Sequence, residues 1–177
     1  MRFRQGKLLL AAFAAVLVSI FAAAGDASAG PPPKGLWATV NICDTVSHPD
    51  QMGVRANVPG NGTRQRIYMR FHAQFYNQTK KRWFNVKGNG VSGWIFVGNA
   101  RVTERQGGYT FSFAPPTSGG AFVLRGVVDF QWRIKRHTRS GRKRMVVLRT
   151  LHANTKGEHR SDGADPPGYS SGTCEIR

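Results

Sequence analysis

Residues 66–76, RIYMRFHAQFY, set the fold class. Ile67, Met69, Phe71, Ala73 and Phe75 fall on one side of a period of two. Arg66, Tyr68, Arg70, His72, Gln74 and Tyr76 fall on the other. A helix would scatter those five apolar residues around its circumference, whereas an extended chain sends alternate side chains to opposite faces. The stretch therefore predicts a strand of an antiparallel sheet, dry on one face and wet on the other.

The same alternation recurs on both sides. LWATVNIC (36–43) and VRANV (54–58) precede the stretch; RWFNV (82–86), WIFVG (94–98), YTFSF (109–113), AFVLRGVVDFQWRI (121–134) and MVVLRTLH (145–152) follow it. In the longest run, Phe122, Leu124, Gly126, Val128, Phe130, Trp132 and Ile134 are expected to face inward. Pro59-Gly60, NQTK (77–80), KGNGVSG (87–93) and APPTSGG (114–120) read as turns, and RQGG (105–108) precedes the strand YTFSF. Many short alternating runs divided by Gly, Pro and Asn predict an all-β fold, an immunoglobulin-like antiparallel sandwich of about seven to nine strands. That sandwich domain is placed at 36–152. A Pro-rich lead-in (30–35) precedes it, and the tail (153–177) is polar and turn-rich, with DGADPPGYSSGT (162–173) reading as loop.

The N-terminus has Arg2, Arg4 and Lys7, then an apolar run (8–24), then small residues at Ala27 and Ala29. This order predicts a secretory signal peptide over residues 1–29 with Gly30 as the new terminus, and hence a secreted protein. An uncleaved membrane anchor is the competing reading, but the apolar run is shorter than the roughly 20 residues needed to span a bilayer. An exported chain matures where thiols oxidise, so its two cysteines, Cys43 and Cys174, are expected to pair and pin the tail to the first strand.

Two motifs fail on context. GNGVSG (88–93) fits G-x-G-x-x-G, but a strand follows where a dinucleotide site needs a helix, so it reads as a hairpin turn. GYSSG (168–172) fits G-x-S-x-G around Ser170, yet too little chain follows to supply an acid and a histidine. His48, His72, His137, His152 and His159 have no zinc-site spacing and read as surface or turn residues. The acids are too scattered to name a catalytic pair from spacing. No catalytic residue, metal or cofactor is expected. Asn61 and Asn77 head glycosylation sequons, which matter only in a eukaryotic host.

Charge carries the functional expectation. The chain has 26 Lys and Arg against 9 Asp and Glu, a formal charge of +17. RIKRHTRSGRKR (133–144) holds Arg133, Lys135, Arg136, Arg139, Arg142, Lys143 and Arg144 with no acid. A hairpin that needed only solubility would mix signs. If the strands at 66–76 and 121–134 are neighbours, Arg70, His72 and Arg125 join Arg133 on one wet face, with aromatics between the cations. That composition suits an anionic polymer or envelope surface, with sugars or bases stacking on the rings. The competing expectations are a structural domain with a protein partner and no affinity for polyanions and, third, a secreted enzyme, for which no residue constellation passes its context test.

LRGVVDFQWR (124–133), the strand order and GADPPGYSSGTCEI (163–176) together resemble a group of small exported bacterial proteins, mostly actinobacterial. The resemblance implies an immunoglobulin-like or fibronectin-III-like sandwich and no activity.

Overall fold

The computed structural model describes residues 32–177. The expected signal peptide lies outside them. Within them are nine strands, two single-turn 3-10 segments and no α-helix. None of their helical segments is long and apolar enough to cross a membrane.

The strands form two antiparallel sheets. The smaller holds β1 (Trp37–Thr45), β2 (His48–Pro59) and β6 (Glu104–Ser112), in the order β1-β2-β6. The larger is built on β3 (Arg66–Asn77) and β7 (Phe122–His137), which pair from Arg66 opposite Arg133 to Phe75 opposite Leu124. β4 (Arg82–Asn85) and β5 (Ile95–Asn99) both pair with β3, while β8 (Lys143–Asn154) and β9 (Cys174–Ile176) both pair with β7.

The alternation that predicts the strands also makes the core. Val40, Met52, Val54, Val58 and Phe111 from the small sheet meet Ile67, Met69, Phe71, Val128, Phe130 and Trp132 from the large one, all buried. The sheets approach closely at Gly126, where a Cβ would lie 2.7 Å from Val54 Cγ2 and 2.8 Å from Thr155 Cγ2. A side chain there would push two packed neighbours apart.

Four expectations are corrected. Parity places Phe122 and Ile134 inward, but they are 41% and 37% exposed. β3 begins at Arg66, opposite Arg133, so β7 has run past that partner before it reaches Ile134. GNGVSG is not a hairpin turn. β4 and β5 run the same way along β3, and Val86 N–H donates to Ala73 O while Ser92 N–H donates to Phe71 O. The glycines let one 3-10 turn (Gly88–Gly90) loop out between two collinear strands without reversing the chain. RQGG, expected to precede a strand, belongs to it: within β6, Gly107 and Gly108 sit opposite Ala56 and Arg55.

The tail is not all loop. Cys174–Ile176 form β9, and Ile176 is fully buried. Upstream, Ser171 exchanges backbone hydrogen bonds with Val40, and Ser170 Oγ lies 2.7 Å from Thr39 Oγ1. Polar residues read as coil because their partners on β1 are more than a hundred positions away. Cys43 and Cys174 are disulfide-bonded, which joins β1 of one sheet to β9 of the other.

Candidate functional site: an arginine face and a basic hairpin

The outer face of the large sheet is set by the β3–β7 register. Arg66 lies opposite Arg133, Tyr68 opposite Gln131, Arg70 opposite Asp129, His72 opposite Val127 and Gln74 opposite Arg125. The wet faces of the two longest alternating stretches therefore merge, as expected.

The aromatics on this face lie against the arginines. Arg133 Cζ stands 4.3 Å from the Tyr68 ring centre and 4.4 Å from that of Trp94. Arg70 Cζ is 4.5 Å from Trp94, Arg66 Cζ 3.8 Å from Phe96 and Arg125 Cζ 4.5 Å from Trp83. Side-chain hydrogen bonds fix the forks further: Arg125 Nε donates to Gln74 Oε1 and Arg133 Nε to Gln131 Oε1, both at 2.8 Å. These rings are engaged with guanidinium groups, so their role is to hold cations in place. Burial pushes both Arg125 and Arg133 below the ordinary arginine value; at Arg133 the nearby Arg70 charge adds to this and Tyr68 opposes it. Cations that have already shed part of their water gain more from an arriving anion.

Asp129 is the one buried acid of the face, 6% exposed. Arg70 donates to its Oδ2 through Nε at 3.1 Å and Nη2 at 2.7 Å; His72 Nε2 approaches the same oxygen at 3.0 Å, and His152 Nδ1 contacts Oδ1. Burial pushes the carboxyl up, but hydrogen bonds from Arg70, His152 and His72, together with the His72 charge, outweigh it and hold Asp129 below the usual carboxylate range. Two of the expected anion-binding residues, Arg70 and His72, are thus already tied to an internal carboxylate. Arg125 and Arg133 form no ion pair among the described residues.

The basic stretch is a hairpin, mostly strand. Arg133 to His137 continue β7 and Lys143-Arg144 begin β8, with Lys135 opposite Met145, Arg136 opposite Arg144 and His137 opposite Lys143. The turn follows from TRSGR: Gly141 N–H donates to Thr138 O at 3.0 Å and Thr138 N–H to Arg142 O at 2.9 Å, with Gly141 at φ +75°. This is the pattern of a three-residue hairpin loop with glycine in the left-handed position. It sets Arg139 and Arg142 at the tip. Lys135, Arg136, Arg139, Arg142, Lys143 and Arg144 are exposed and form no ion pair among the described residues.

Alternation along β7 keeps Arg125, Asp129, Arg133 and Lys135 on one side. The arginine face and one side of the hairpin are therefore a single strip, about 33 Å from Arg125 to Lys135 at the usual strand rise. Sequence reasoning missed Asp129, Trp83, Trp94 and Phe96. Outward parity within LRGVVDFQWR was the available signal for Asp129; the three rings come from an edge whose course along β3 no local pattern encodes. Ser170 of GYSSG is placed against Thr39, and its Oγ accepts the His159 backbone N–H at 2.9 Å.

The chain matches no protein-family model and no curated protein sequence.

Proposed function

We propose that this protein is an exported, non-enzymatic binding module that grips an anionic polymer or envelope surface along the strip from Arg125 through Arg133 and Lys135 to the hairpin tip. The observation that carries the reading is continuity: held guanidinium forks run into a hairpin of cations that form no ion pair among the described residues, and the one buried acid between them is spoken for by Arg70, His72 and His152. Because the rings already hold arginines, recognition rests on charge and on the flat fork of guanidinium, with little reading of bases or sugars. An immunoglobulin-like or fibronectin-III-like sandwich, akin to the small exported bacterial proteins, is part of the same proposal. Two packed antiparallel sheets joined by a disulfide support it. The leader supports export, and the disulfide is consistent with it.

Counterion release gives the test. With about five anionic groups engaged, affinity for heparin or inorganic polyphosphate is expected to fall on the order of a thousandfold for a tenfold rise in salt. Replacing Arg139, Arg142, Lys143 and Arg144 together by Ser should weaken retention and flatten the slope by about 0.7 for each anionic group no longer neutralised. Retention that ignores salt, or that survives the four substitutions unchanged, contradicts the proposal.

A further inference from the structure

The hairpin has a second property that binding to a polymer does not require. Beyond the Arg66 and Arg133 pair, β7 and β8 continue as a two-stranded arm with no third strand beside them among the described residues. On the side that lower down points into the core, Ile134 faces Val146; on the outer side, Val147 faces Arg133 and Met145 faces Lys135. A register shift lies between Trp132 and Arg133, and opposite it Leu148 has no partner in the ladder. Ile134, Val147 and Leu148 are exposed, and Met145 and Val146 are half-buried.

Apolar side chains thus lie on both sides of the base of the arm, among Arg133 and Lys135, and further cations crowd its tip. For an arm that only had to attract a polyanion in water, exposed Ile, Val and Leu would be a liability, since an uncovered edge strand invites pairing with other chains. Against an anionic bilayer the same arrangement is matched twice. Lysine and arginine are drawn to the negative surface, and the neighbouring apolar side chains leave water for the boundary between head groups and acyl chains. The arm carries no acid from Arg133 to Arg149, so nothing on it would be repelled by the lipid phosphates.

We propose that the arm formed by the end of β7 and the start of β8 docks the protein on a bilayer rich in anionic phospholipid, with cations on the phosphates and Ile134, Val147 and Leu148 in the interfacial layer. This rests on the anion-binding reading above and names the lipid phosphate as its partner. The lipid reading is favoured over a soluble polymer because only a bilayer uses the apolar side chains.

The test compares two probes on the mature, disulfide-bonded protein: heparin, and vesicles of phosphatidylcholine with or without about a third phosphatidylglycerol. The parent should partition onto the phosphatidylglycerol vesicles and scarcely onto phosphatidylcholine alone. Ile134→Ser, Val147→Ser and Leu148→Ser together should lower vesicle partition by on the order of 10-fold or more while retention on heparin stays unchanged. All three side chains are solvent-exposed, and an unaltered urea midpoint verifies that the variant is folded. A parent held by heparin but not by vesicles, or a triple variant that partitions like the parent, overturns the lipid proposal and leaves the polymer as ligand. Failure to bind either probe overturns the anion-binding reading itself.

Discussion

Replacing both Cys43 and Cys174 by Ser is expected to remove about 5 kcal/mol of stability, the largest effect of any change considered for this chain. The bond closes a loop over a sequence separation of 131, and chain entropy in the unfolded state scales with the logarithm of that length. The loss compares with a total of about 5 to 15 kcal/mol for an ordinary domain, so the variant should sit near its unfolding threshold at body temperature. The bond also clamps β9, a strand of three residues that brings Ile176 into the core. Urea titration followed by tryptophan fluorescence, with and without reductant, measures the difference. A loss below about 1 kcal/mol would mean that packing of the tail, not the covalent link, holds the two sheets together.

Asp129→Asn should cost about 2 to 3 kcal/mol near neutral pH. The amide keeps the volume of the carboxylate but gives up charge-assisted hydrogen bonds to Arg70, His72 and His152. A fully buried pair would lose more, but His152 is largely open to water and Arg70 partly so, and water takes over part of their hydration. The pH dependence has a definite sign. Asp129 titrates below its ordinary range in the folded protein, so its stabilisation is fully present above the unfolded carboxylate value of about 3.9 and is lost as pH falls through the folded value. Parent and variant should therefore differ at pH 7 and converge in acid. A gap that is constant with pH, or absent at pH 7, contradicts the assignment of Asp129 as the charged centre of the face.

Strand periodicity was legible where both faces of a strand meet different media. Residues 66–76 alternate cleanly because every apolar member enters the core and every polar member meets water, and the register with β7 follows from two such strands lying side by side. The reading failed where the environment changed along an element. Ile134 keeps the apolar identity of its parity but lies beyond the last strand that could cover it. The glycines at 88, 90 and 93 look the same whether a chain reverses or merely loops out, because both need the same backbone freedom. What separates the two is pairing with β3, which is not local. The tail was opaque for a related reason: its order comes from β1, β7 and Cys43. In the site, the cations were evident from composition. Their partners were not, since Trp94 meets Arg70 and Arg133 only through three adjacent strands.

Everything functional rests on the strip from Arg125 to the hairpin tip acting as one surface. The most direct measurement is nuclear magnetic resonance mapping of labelled protein as inorganic polyphosphate is added at low salt, following backbone amides and arginine Nε–H signals together. The account predicts changes at Arg125, Arg133, Lys135 and residues 136–144, with the Nε–H of Arg125 and Arg133 moving in step with the tip. Changes confined to the small sheet, or to the tip with the arginine face silent, would contradict it.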